Sequence, residues 1–134
     1  MNIENKAKLA GEIGRVLKPG GKLVWSEVVL GPAGSPKFPL PWATTPEFSF
    51  LVPAEKLRAA IEGAGLKITE WTDEAGIIGQ WMRDRQAEAQ AGKTPPSALG
   101  LVLGADFTER RKNYAQSLME GRIGSIVVVA EKRR

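Results

Sequence analysis

Glu12-Ile13-Gly14-Arg15-Val16-Leu17-Lys18-Pro19-Gly20-Gly21-Lys22-Leu23-Val24-Trp25 decides the fold. It reads as the last turns of an amphipathic helix, a sharp stop, and a strand that follows at once. Leu9, Ile13, Val16 and Leu17 fall at i, i+4, i+7 and i+8, which is one face of a helix. Pro19 cannot continue that helix, and Gly20-Gly21 supply the positive-φ freedom of a C-terminal cap. Leu23-Val24-Trp25 and Val28-Val29-Leu30 then read as a strand, apolar enough to be covered on both faces.

Upstream, Asn2-Ile3-Glu4-Asn5-Lys6 open the helix, with Asn2 as the expected N-cap and Glu4 near the positive helix end. Downstream comes a loop stiffened by Pro32, Pro36, Pro39 and Pro41, which block both helix and central strand. Its apolar residues Phe38, Leu40, Trp42, Phe48 and Phe50 either pin it to the core or line a pocket, and Trp42 is the one set apart for the pocket. Pro53 suits a first helical position, Leu57, Ile61 and Ala64 form a buried stripe, and Gly65 ends that helix. Lys67 to Trp71 is short and partly polar, as an edge strand should be. Asp73 starts a helical insert, which Asp73-Glu74 cap and on which Ile77, Ile78, Trp81 and Met82 group on one face. Gly92-Lys93-Thr94-Pro95-Pro96 break it, and Leu99 to Gly104 fit no assignment. Asp106-x-x-Glu109 is a capping box for a helix that turns Phe107, Tyr114, Leu118 and Met119 one way and Arg110, Arg111 and Lys112 to water. Gly121 ends it. Ile126-Val127-Val128-Val129 is β-branched throughout and suits the centre of a sheet.

A length of 134 residues suits one domain, and 43% apolar with 25% charged residues is the balance of a folded globular chain. The net charge of +4 is spread along the chain, so Lys132-Arg133-Arg134 reads as a solvated tail and no nucleic-acid partner is expected. Cysteine and histidine are both missing, which removes the thiolate nucleophile, the disulfide, and the commonest general base and metal ligand. No apolar run approaches ~20 residues and Met1 to Asn5 is no signal peptide, so the chain reads as cytoplasmic with no membrane partner. Gly11-x-x-Gly14 lies inside a helix and Gly20-Gly21 precede a strand, whereas a dinucleotide loop needs strand, glycines, then helix. Glu27 is the one acid in an apolar strand. It either faces the crevice where α/β ligands bind or is bonded locally at the sheet edge.

Glu12-Ile13-x-Arg15-Val16-Leu17-Lys18-Pro19-Gly20-Gly21-x-Leu23 resembles the helix-to-fifth-strand segment of class I S-adenosylmethionine-dependent methyltransferases. Phe38-Pro39-x-Pro41-Trp42-Ala43, Ser49-Phe50-Leu51, Ala64-Gly65, Leu99 to Gly104, Asn113 and Glu120-Gly121-Arg122-Ile123 are similar to the sarcosine and dimethylglycine N-methyltransferases. The resemblance implies an α/β, partial Rossmann-like methyltransferase fold with a three-stranded mixed sheet. Its strands lie near 22–30, 123–131 and 67–71, the antiparallel seventh strand of the family standing between the fifth and sixth. Helices lie near 4–18, 54–64, 74–91 and 107–120, all in one domain, 1–134, with an insert at 73–121. The resemblance also makes Asn2, Glu27, Trp42, Trp81 and Tyr114 candidates to line the substrate, although Trp81 and Tyr114 also fit buried helix faces. For a methylated amine, the Trp42 ring would contribute roughly 0.5–2 kcal/mol to a cation.

The family's glycine-rich cofactor loop and ribose-binding acid have no counterpart here. S-adenosylmethionine is thus the implied family cofactor yet is not expected to bind this chain alone, and no catalytic, cofactor-binding or metal residue is assigned. Methyl transfer rests on holding the donor in line with the acceptor, so the expectation is a substrate-side half that is not competent by itself. The strand Leu23–Leu30 would have an open edge where the fourth strand belongs. A homodimer through that edge, or a missing N-terminal half, is the expected partner. The alternative is a non-catalytic dimeric α/β module that binds a small ligand or only itself.

Overall fold

The computed structural model describes residues 1–93, 102 and 104–133. The elements are α1 (Lys6–Val16), β1 (Lys22–Leu30), a short 3-10 turn (Pro46–Phe48), α2 (Ala54–Gly63), β2 (Leu66–Asp73), α3 (Ala75–Gln90), α4 (Phe107–Met119) and β3 (Ile123–Lys132). Of the unassigned Leu99–Gly104 stretch, 99–101 and 103 lie outside the described residues, as does Arg134.

The stretch from Glu12 to Trp25 folds as helix, turn and strand, with three corrections in and around it. Asn5 caps α1, its side chain accepting the Lys8 N–H at 2.8 Å. Asn2 cannot, because its amide is turned to the Trp42 carbonyl. The glycine freedom serves a β-turn and not a helix cap. Gly21 N–H donates to the Lys18 carbonyl at 2.8 Å and Gly20 has φ +76°, with Pro19 before it, the residue pattern of a type II turn. Lys132 is no tail residue. From the end of β3 its ammonium donates to the carbonyls of Gly14 and Leu17 at 2.7 and 2.8 Å, holding the negative end of α1.

The sheet order is β1-β3-β2, so the β-branched strand is central as expected. Both ladders are antiparallel, where a mixed sheet was expected. A mixed sheet needs a full parallel neighbour, and the parallel pairing seen is a single bridge between Leu30 and Pro53. β2 runs longer than expected and carries a bulge between Ile68 and Glu70, as edge strands often do.

One face of the sheet is covered by α1 and α2, where Ala10, Leu57 and Ile61 pack on Trp25, Val29, Ile126, Val128 and Ala130. Gly14 permits the close helix approach, since a Cβ there would stand 2.9 Å from the Ala64 carbonyl oxygen. The buried stripe of α1 is Lys6, Ala10 and Gly14, which leaves Val16 64% exposed and outside the core it was expected to join. On the other face, Leu118 packs on Val28 and Ile123, joined by Trp42, Leu51, Ile78, Met82 and Tyr114. That cover stops at the Leu30 end of β1. Val24 is 69% exposed, so β1 is not covered on both faces.

Two more expectations change on the helices. Ile78 and Met82 turn inward from α3, but Ile77 and Trp81, on the neighbouring stripe, are exposed. The capping box before α4 does not form, because the Asp106 carboxylate is taken by Arg110 at 2.7 Å. Glu74 holds the N-cap position of α3 without a side-chain cap bond, and Asp73, the last residue of β2, accepts the Ala75 N–H at 2.9 Å.

Candidate functional site

The candidate site lies where the loop 31–53 folds back over the Leu30 end of β1. Backbone in such a loop needs donors and acceptors from elsewhere, and α4 supplies them. Arg110 donates to the Leu40 carbonyl at 2.8 Å and to the Thr44 hydroxyl at 3.0 Å, and Asn113 donates to the Pro39 carbonyl at 3.0 Å. The buried Ser117 hydroxyl accepts the Lys37 N–H at 3.0 Å. Arg110 was expected to face water; only 17% of its side chain is exposed. The Asp-x-x-x-Arg spacing at the start of α4, opposite a proline-rich loop, is the signal that sequence reasoning passed over.

The pinned loop presents Trp42. Its indole N–H donates to the Ser49 hydroxyl at 3.0 Å, and its ring meets Tyr114 edge to face, centroids 6.0 Å apart at 85°. The Asn2 amide donates to the Trp42 carbonyl at 2.9 Å, and Phe50 N–H to the Met1 carbonyl at 2.9 Å. Asn2, Trp42 and Tyr114 are thereby brought together. Burial pushes the Tyr114 phenol above its ordinary value of 10.0, so it stays a neutral donor at physiological pH.

Glu27 is joined to this cluster only through Met1. It points to the α1 side of the sheet, 5% exposed, with one carboxylate oxygen accepting the Trp25 indole N–H at 2.9 Å. The other oxygen meets the Met1 amino group and stands 3.5 Å from the Lys6 ammonium, which has no hydrogen-bond partner. Of the two readings of Glu27, these contacts are those of the locally bonded acid. Burial pushes the Met1 amino group below its ordinary 8.0 against the opposing pull of Glu27. Trp81 is not part of the cluster: it is 56% exposed on α3, with Arg85 5.9 Å from its ring.

The cluster thus holds two aromatic rings, one of them a phenol, and one side-chain amide. Among the described residues no group of three acids, histidines or cysteines is placed to hold a metal. β1 leads into the proline loop and β2 runs straight into α3 through Asp73-Glu74, so neither strand is followed by the glycine turn that cradles a nucleotide.

No family model matches the chain, and no curated protein matches it. Solved structures do. Phosphoethanolamine N-methyltransferase 2 of Haemonchus contortus, in complex with S-adenosyl-L-methionine, aligns over 99% of this chain and 31% of its own, with a TM-score of 0.67 and 17% identity. Geranyl diphosphate C-methyltransferase of Streptomyces coelicolor A3(2) aligns over 98% of this chain and 44% of its own, with a TM-score of 0.68 and 18% identity. The [4+2]-cyclase SpnF aligns over 95% of this chain and 44% of its own, with a TM-score of 0.54 and 25% identity. The chain thus spans between 31% and 44% of the length of these structures. At such identities the likeness is one of fold: this chain has the α/β fold of part of a class I S-adenosylmethionine-dependent methyltransferase.

Proposed function

We propose that this chain supplies the substrate side of an S-adenosylmethionine-dependent methyltransferase and is not catalytically competent alone. The observation that carries this reading is the placement of the Asn2–Trp42–Tyr114 cluster at one end of β1, beside a strand edge with free backbone groups. Leu30 N–H turns outward to the Val52 carbonyl at 3.0 Å, whereas Gly31 N–H bonds Arg122 on the β3 side. Alternation along the strand therefore aims the N–H and C=O groups of Val24, Ser26 and Val28 outward too. None of the three has an outward backbone partner among the described residues. The donor belongs across that edge, on strands supplied by a longer polypeptide or a separate one.

On this reading the acceptor is a methylated amine of the sarcosine and dimethylglycine type. Trp42 and Tyr114 offer aromatic surface to the positive charge that develops on its nitrogen as the neutral amine takes the methyl group, Asn2 bonds its polar end, and Glu27 holds the Met1 segment beside them. Trp81 takes no part. Likeness in fold to an N-methyltransferase supports the reaction class, and the ring pair supports the amine.

Titration calorimetry with S-adenosylmethionine tests the reading. The isolated chain is expected to give no saturable heat, and tight binding would sink the proposal. A second reading, a non-catalytic module that pairs with itself, is favoured by the same open edge, and the oligomeric state argued below separates the two.

A further inference from the structure

We propose that the cleft between α3 and α4 binds a small anionic amphiphile, a carboxylate or phosphate head on an apolar tail. The cleft encloses ≈ 710 Å³, within the range of small-molecule sites, and lies on the side of α4 away from the loop that Arg110 pins. Met82, Ala115 and Met119 line it with apolar and polarizable surface, and Met119 is 64% exposed there. Arg85, Arg111 and Lys112 stand on its rim.

The charge on that rim is not cancelled from within. The acid that also borders the cleft, Glu120, has its carboxylate oxygens taken by Arg122 and Gln116. Arg85 shares Glu88 at 3.6 Å, and Arg111 lies 5.7 Å over the Phe107 ring, a contact that leaves its charge intact. Lys112 is exposed and meets no carboxylate among the described residues. An occupant must therefore answer positive charge at the rim and apolar surface below it, which a single amphiphile does with one molecule. Neither a polar anion nor a hydrocarbon satisfies both.

Calorimetry on the full chain with dodecanoate and with dodecyl phosphate, each below its micelle concentration, tests the site against dodecyltrimethylammonium. Both anions should bind saturably at one site and the cation should not. Arg111→Glu with Lys112→Glu should weaken binding about tenfold or more, whereas Lys56→Glu on α2 should leave it unchanged. Ala115→Trp, which fills the cleft, should abolish binding while the helical circular dichroism spectrum is kept. Should the double charge reversal unfold the chain, Arg111→Gln with Lys112→Gln carries the same expectation at smaller size. Equal binding of the cationic amphiphile, indifference to Arg111 and Lys112, or unsaturable uptake would overturn the proposal. So would co-sedimentation with phosphatidylglycerol vesicles without binding of the monomeric anions.

Discussion

Lys6 is a buried cation that the fold must answer. The side chain is 5% exposed, and among the described residues its ammonium has no hydrogen-bond partner and is answered only by Glu27 at 3.5 Å. Removing one partner of a buried pair strands the other charge, at about 3–5 kcal/mol. Glu27→Gln should therefore lower urea stability by about that much, and Lys6→Met in the same chain should restore the part due to Lys6, the Met1 amino group being left unanswered in both variants. Additive losses in the double variant would show that the two side chains act separately. Trp42 makes a different kind of contact, half packing and half hydrogen bond. Trp42→Phe keeps the ring against Tyr114 and loses the bond to Ser49, a change of about 1 kcal/mol. Trp42→Ala loses both and should cost about 3 kcal/mol, with the near-ultraviolet signal of Tyr114 changed. Equal denaturation midpoints for the two variants would show that the ring carries nothing.

At the scale of elements, α4 acts as the clamp of loop 31–53, and Arg110 is its main bolt. Arg110→Met should cost about 2 kcal/mol through the charged bond to the Leu40 carbonyl, and protease should then cut the loop first. The Arg110 guanidinium also holds the Asp106 carboxyl below its ordinary 3.8. An acid whose folded pKa is depressed stabilises the fold above its ordinary pKa and loses that contribution as pH falls through the lower folded value. The gap between native chain and Arg110→Met should thus narrow in strong acid, and a gap that widens would contradict the pairing. The clamp also shows where sequence stops being readable. Helix and strand positions follow from period, and Ile126 to Val129 and Leu57-Ile61 could be placed from spacing alone. Arg110, Asn113 and Ser117 reach backbone groups in a loop some seventy to eighty residues away. Such side chain to backbone bonds leave no period in the sequence. Asn2 and Asn5 illustrate a second limit: both residue types suit a cap, and only the tertiary bond from Asn2 to Trp42 decides between them. Val24 illustrates a third, since a β-branched residue in a strand reads as buried until one knows how far the covering helices extend.

For the whole molecule, the decisive feature is the outer edge of β1. It is partly closed already, because Val52 takes the outward N–H of Leu30 and Met1 stands beside Glu27. What stays open runs from Lys22 to Val28, with Val24 exposed on it. An open apolar edge pairs with whatever strand it meets. Two copies related by a two-fold axis would lay their β1 strands antiparallel and join the two sheets into one. Sedimentation equilibrium at micromolar concentration should show that dimer for the isolated chain. Ser26→Pro, which removes an outward N–H, and Val24→Lys, which charges the edge, should each return it to a monomer. A native chain that stays monomeric would remove self-pairing and with it the non-catalytic dimer. The proposed methyltransferase reading makes a further demand of the same edge, because the strands that hold the donor must occupy it instead. Adding a polypeptide that carries those strands should dissolve the dimer and create a site for S-adenosylmethionine in one step. A dimer that persists unchanged beside the added half would show that the edge serves self-association alone.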